Sequence, residues 1–140
     1  MAKTSDLLLD TCAAIWMAQG AFLEPVALEA MTQASEERRP LRLSLITAWE
    51  LGLLAKRGKA AMAAAPAAVF QAFLNLPGVQ AQPLTAEILI DSSLLPGQVH
   101  GDPADRILIA TARALDLTIV TRDRSILTYA ESGYVRALPC

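Results

Sequence analysis

The sequence predicts a single α/β domain whose mainly parallel central sheet carries helices on both faces, a three-layer α/β/α sandwich. Three observations carry this reading. Short apolar runs alternate with helical patterns along the chain, an order that implies right-handed crossovers and parallel strands. The run Leu-Thr-Ile-Val at 117–120 has acids beyond both ends, Asp116 and Asp123, as expected of a strand buried on both faces. The 140 residues suit one core, and no repeat, low-complexity tail or linker divides residues 1–140.

The elements follow in order. Residues 6–10 are a short apolar strand that ends in an acid, and residues 11–18 a helix broken by Gly20. Residues 24–39 have an amphipathic helical pattern, with Ala27, Ala30 and Ala34 on one side and Glu36, Glu37 and Arg38 on the other; Pro40 ends it. A second strand at 41–45 leads into a helix opened by Thr47-Ala-Trp-Glu50 and closed before Gly58. Residues 60–75 are an Ala-rich helix interrupted or restarted at Pro66, which reads either as a packing helix or as a mobile arm. A third strand at 79–84 contains Pro83, a mark of an edge or a strand end. Thr85 caps a helix reaching Leu95. Gly101-Asp102-Pro103 starts the next helix, with Asp at the cap and Pro at the first helical position; Arg106 and Arg113 share a face turned to water. The strand at 117–120, a short helix at 125–132 and a last strand at 134–138 complete the chain.

Composition removes several function classes. A net charge of −2 argues against a pure nucleic-acid binding module, which should be basic. Two cysteines, Cys12 and Cys140, give no disulfide framework, and a single histidine leaves no His-rich metal site. No apolar run approaches the roughly 20 residues that span a bilayer, and the first residues lack a signal-peptide pattern, so the expectation is a cytoplasmic protein without a membrane role.

The acids remain to be explained. Each has a plain structural reading: Asp10, Asp102 and Asp123 as helix caps, Glu50 as the partner of Thr47 in a capping box, and Asp105 as a charge favoured by the helix dipole. Together they ask for more. Asp10 and Asp123 both follow apolar strands at their carboxyl ends, where open α/β sheets bind ligands. Glu50 lies in the apolar stretch AWELGLLA, where a carboxylate is costly unless paired. Asp102 and Asp105, three apart, point in similar directions. Converging carboxylates repel one another, and a divalent cation relieves that. Ligands that are all oxygen select Mg²⁺ or Mn²⁺ over Zn²⁺, and such an ion suits phosphoryl chemistry with an activated water.

Three stretches, LLLDT (7–11), SLITAWELGLLAKRGK (44–59) and HGDPADRILIATARALDLTIVTRD (100–123), resemble PIN-domain ribonucleases, most nearly the VapC toxins of bacterial toxin–antitoxin pairs. The resemblance spans nearly the whole chain and keeps the motif order; the last stretch is the most specific. It implies a PIN-like α/β/α sandwich and a Mg²⁺- or Mn²⁺-dependent endoribonuclease. It makes Asp10, Glu50, Asp105 and Asp123 the catalytic, metal-binding acids. Asp102 is either a helix cap or a holder of a metal-bound water. Thr11 and Thr121 flank the site, to bond a phosphate or a carboxylate, Thr121 having also the reading of a plain strand end. Lys56, Arg57 and Lys59 are candidates for RNA phosphate contacts, or simply suit a helix C-terminus. The resemblance also implies a homodimer and a small DNA-binding antitoxin that lays an arginine-bearing peptide into the acidic site.

Other residues carry plainer readings. Cys12 is expected as buried filler, Trp16, Trp49 and Phe22 as core or dimer surface, and His100 as a residue before a helix cap rather than a base. Competing functions fit less well. A haloacid-dehalogenase-like phosphatase needs an Asp two residues after Asp10, where Cys12 stands. A receiver domain needs a late Lys, and after Asp10 the chain has Lys only at 56 and 59. A non-enzymatic α/β interaction module and a PIN nuclease acting in RNA processing outside toxin–antitoxin systems stay open as alternatives.

Overall fold

The computed structural model describes residues 5–21, 23–58, 64–99 and 101–140. Its elements are β1 (Leu7–Leu9), α1 (Thr11–Ala18), α2 (Pro25–Glu36), β2 (Leu41–Ser44), α3 (Ile46–Lys56), α4 (Pro66–Leu74), β3 (Val79–Gln82), α5 (Ala86–Ser92), α6 (Pro103–Leu115), β4 (Thr118–Thr121), α7 (Arg124–Glu131) and β5 (Arg136–Pro139). The strands form one sheet in the order β3-β2-β1-β4-β5, and every pairing is parallel. The fold is therefore the expected α/β sandwich, with the sheet parallel throughout. Among the described residues no helix is long and apolar enough to cross a membrane.

Alternation along β1 explains why it is apolar at every position. Leu7 and Leu9 face one side, where they pack with Leu41 and Leu43 of β2, Ala13 and Ala14 of α1, Ala27 and Ala34 of α2 and Phe73 of α4. Leu8 faces the other side, with Ile119 of β4, Leu108 and Ile109 of α6, and Ile126 and Tyr129 of α7. A strand covered on both faces has no polar position to spare. The small residues of α1 and α2 let those helices approach the sheet closely; α5 packs against α6.

The chain leaves β1 toward β2 and β3 on one side, then returns to build β4 and β5 on the other. The direction of winding reverses between β1 and β4, and ligands of open parallel sheets bind outside the carboxyl ends at that reversal. The register puts Leu9 beside Val120, so Asp10 and Thr121 leave the sheet side by side.

Element ends differ from the sequence reading at several points, each with a local cause. The helix expected over 24–39 stops at Glu36, because Arg38 takes a left-handed conformation (φ 57°). The amides of Arg38 and Arg39 close on the carbonyls of Ser35 and Ala34 at 3.1 and 2.8 Å, a Schellman motif that ends the helix before Pro40 can. The third strand stops at Gln82, since Pro83 has no amide to donate. Helix α3 starts at Ile46, whose amide bonds the Ser44 hydroxyl at 3.1 Å, and the capping box expected of Thr47 and Glu50 does not form. Arg106 and Arg113, expected to meet only water, also hold carbonyls: Arg106 Nε that of Ser92 at 2.9 Å, Arg113 Nη1 that of Tyr134 at 2.6 Å.

Arg38 yields a stability prediction. A left-handed conformation costs a residue with a Cβ about 1–2 kcal/mol, partly offset in glycine by its greater freedom when unfolded. The Arg38 side chain is exposed. Arg38→Gly should therefore raise the free energy of unfolding by about 0.5–1 kcal/mol in a urea melt; a fall of that size would mean that the arginine side chain holds something.

Candidate active site

Asp10 is the first residue beyond β1 and the cap of α1. Its Oδ1 accepts from the Ala13 amide at 2.6 Å, and its Oδ2 accepts from the hydroxyl of Thr121. It is only 6% exposed. Thr121 is wholly buried at the end of β4, and its hydroxyl oxygen also accepts from the Asp123 amide at 2.9 Å. Thr121 thus ties the two strand-end acids together. Asp123 in turn caps α7 through the Ile126 amide at 3.0 Å.

Glu50 comes from the second turn of α3, and its Oε1 accepts from the hydroxyl of Thr11 at 2.6 Å. Thr11 has one proton to give, so in the 3.0 Å contact between Thr11 and Thr47 the donor is Thr47. This relay, Thr47 to Thr11 to Glu50, is what the Thr47–Glu50 spacing serves in place of a capping box. Asp102 caps α6 through the Asp105 amide at 3.1 Å, and Asp105 occupies the first turn of that helix.

These acids converge. Asp10, Glu50, Asp102, Asp105 and Asp123 line one cleft of about 310 Å³, together with Thr11, Cys12, Trp16, Leu108 and Arg122. Asp10, Asp102 and Asp123 are caps and cleft residues at once; for Asp10 and Asp123 this follows because a helix start at the carboxyl end of a strand points its capping side chain at the crevice. Lys56 and Arg57 are exposed at the far end of α3 and do not line the cleft. Lys59, His100 and Phe22 lie outside the described residues.

The electrostatics follow from this crowding. Burial, then the charge of Asp123, Asp102, Glu50 and Asp10, pushes Asp105 up to about 8. Asp10 is also raised, by burial first and by Asp123 in addition, against the opposing bonds from Thr121 and Ala13. Glu50 is raised by burial and by Asp102, Asp10 and Asp123, against the bond from Thr11. Cys12 is a correction to the sequence reading. Far from being core filler, it is exposed at the cleft, because it falls on the side of the first turn of α1 opposite the buried Thr11, Ala13 and Ala14. Its thiol is still desolvated enough that burial, then the four acids Asp10, Glu50, Asp105 and Asp123, push it to about 11. Trp49, expected in core or dimer surface, is 49% exposed.

Besides Cys12, the lining residues Trp16, Leu108 and Arg122 are not marked as functional by the sequence. Arg122 is the one cation among the described lining residues, and its guanidinium lies 3.8 Å from the ring centroid of Trp16. Its position between Thr121 and Asp123 was a usable signal; the partnership with Trp16 was not, because it depends on β1 and β4 being neighbours.

A hard divalent ion suits the donor set, which is carboxylate and hydroxyl oxygen throughout the polar lining apart from Cys12 and Arg122. Among the described residues, however, no three Asp, Glu, His or Cys side chains are drawn together tightly enough to hold an ion as they stand. Burial first, and one another's charge after it, disfavour the ionised forms of Asp10, Glu50 and Asp105, and a divalent ion would offset that cost.

Comparison with known proteins agrees with the fold and extends it. The PIN domain family matches residues 7–132. A curated relative, Ribonuclease VapC22 of Mycobacterium tuberculosis, is 30% identical over 126 residues, covering 89% of this chain and 92% of its own. Among solved structures, the DNA-bound VapBC of Salmonella typhimurium superposes with a TM-score of 0.67 at 17% identity, covering 97% of this chain and 98% of that one. The promoter-bound VapBC2 of Rickettsia felis gives 0.64 at 14% identity, over 95% and 97%. At such identities the structures speak for the fold alone, but the family match and the curated relative speak for descent. The chain belongs to the PIN-domain family and is VapC-like.

Proposed function

We propose that this chain is a Mg²⁺- or Mn²⁺-dependent endoribonuclease and the toxin of a toxin–antitoxin pair. One observation carries the proposal: five acids from separate stretches of the chain line a single cleft at the winding reversal of the sheet, three of them held above their ordinary range by burial and one another's charge. A fold does not keep such a cluster for stability. The ribonuclease named among the relatives supports RNA as the substrate, and the two VapBC assemblies support a small DNA-binding antitoxin as partner.

In this reading Asp10, Glu50, Asp105 and Asp123 hold the ion, and Asp102 holds α6 in place beside it. A bound divalent ion supplies charge neutralisation at the scissile phosphate and an acidified water. The chain supplies alignment. Thr121 and the Ala13 amide fix both oxygens of Asp10, and Thr11, itself braced by Thr47, fixes Glu50. These bonds hold both carboxylates in the cleft before the phosphate arrives. The protein is proposed to act as a homodimer; the exposed Ile90 of α5 and Leu94 just beyond it offer apolar surface for an association.

The test has two parts. Purified protein should cut single-stranded RNA with Mn²⁺ and stop when EDTA is added; RNA left intact at millimolar Mn²⁺ would refute the enzyme. Expression of the chain should arrest growth, and co-expression with the small neighbouring gene should relieve it; unimpaired growth with an active enzyme would move it out of the toxin systems.

A further inference from the structure

We propose that Arg122 is a substrate-positioning residue that grips an RNA phosphate beside the acidic cleft, preset for that contact by Trp16 and by the backbone of Cys140. The inference rests on the reading that the cleft cleaves RNA. A polyanion brought to five carboxylates is repelled everywhere that an ion does not stand, and a single ion covers one phosphate. A second positive group is needed at the rim. Lys56 and Arg57 are at the far end of α3, outside the lining, so Arg122 is the described lining residue that can serve.

Its setting is that of a prepared contact. The guanidinium stacks 3.8 Å from the centroid of Trp16, while Nε donates to the Cys140 carbonyl at 2.5 Å. The stack and the tether fix the plane of the fork, so little freedom is lost when it binds. The guanidinium also bonds the Cys140 side chain, and the residue as a whole is exposed. Its neighbours Thr121 and Asp123 are bonded to each other, Thr121 also to Asp10, so Arg122 is carried by the same strand end that carries the acids. An exposed cation held at a fixed height beside a phosphate-cleaving site is suited to charge-assisted contact with phosphate oxygens.

The test is steady-state cleavage of a short single-stranded RNA with Mn²⁺ over a series of salt concentrations, with the full chain. Arg122→Met keeps an apolar stem over Trp16 and removes the charge. It should raise KM about tenfold with kcat little changed. It should also make the dependence of log(kcat/KM) on log salt shallower by about 0.7, the signature of one lost phosphate contact on a single strand. Arg122→Lys should keep most of that slope while KM rises part of the way, since charge remains and the stacked fork does not. A purely structural role, such as tying down β5, could lower the melting temperature but would leave the salt slope unmoved. An Arg122→Met enzyme with wild-type KM and slope overturns the proposal and leaves the nuclease reading intact. Should that variant not fold, a wild-type KM in Arg122→Lys overturns it equally. A wild type that cuts no RNA overturns both.

Discussion

Asp10→Asn should leave a folded protein that cleaves RNA about two to four orders of magnitude more slowly than the wild type. The two halves of this result have separate causes. Asparagine is as good a helix cap as aspartate, and its carbonyl oxygen can still accept from the Ala13 amide. The Thr121 hydroxyl, which donates to Asp10 Oδ2, would have to turn and accept from the new amide, at about 1 kcal/mol. Against that, a carboxylate only 6% exposed disappears from a cluster that disfavours its charge. The metal-free variant should therefore melt within a few degrees of the wild type, or above it.

Activity has no such compensation. If Asp10 is a ligand, the variant loses the charge that holds the ion, and several kcal/mol of barrier lowering depend on the ion. The Mn²⁺-induced rise in melting temperature should shrink with it. Thr121→Val is a milder companion. It keeps every carboxylate but releases Asp10 Oδ2 and the Asp123 amide together, so a smaller loss of kcat with Mn²⁺ binding retained is expected. Full activity in Asp10→Asn would remove the nuclease assignment outright.

Legibility in the sequence divides along a physical line. Local chemistry was readable. Leu7–Asp10 reads as a strand ending in an acid because burial on both faces allows no polar residue until the chain leaves the sheet. Asp102-Pro103 and Thr85 announce helix starts because capping needs those residue types. Asp10 and Asp123 could be nominated as site residues because both follow strands at their carboxyl ends, and Glu50, in the second turn of α3, because its surroundings are apolar. Contacts between distant stretches were not readable. The stack of Arg122 on Trp16 and the bond from Thr121 to Asp10 both require β1 beside β4, which pattern alone does not specify. Two exceptions are instructive. Arg38 ends α2 in a left-handed conformation that glycine would have signalled and arginine does not. Cys12 looked like core because it follows a buried strand, but it lies on the one side of the first turn of α1 that Thr11, Ala13 and Ala14 leave outward.

The second large effect concerns pH and metal together. Metal-free protein should lose stability as pH rises from 5 to 8, the reverse of ordinary carboxylate behaviour. Asp105 titrates near 3.8 when unfolded and is pushed up to about 8 in the fold, with Asp10 and Glu50 shifted in the same direction. Between those values the folded state binds more protons than the unfolded one, so its stability must fall as protons are withdrawn. The contribution is complete below about pH 4 and gone above about pH 8. Asp105 is partly exposed, so after screening the loss is on the order of 1–2 kcal/mol, a fall of a few degrees in melting temperature. Mn²⁺ competes with protons for the same oxygens, so its stabilising effect should be small at pH 5 and large at pH 8, where it reaches about 2.7 kcal/mol at a hundred times Kd. Thermal melts at both pH values, with EDTA and with Mn²⁺, decide the matter. Asp105→Asn supplies the control, since it should flatten the metal-free pH dependence while leaving the caps of α6 and α7 in place. A metal-free protein that grows more stable toward pH 8, and ignores Mn²⁺ there, would mean that the acids are paired within the fold and that no cation is required to bring them together.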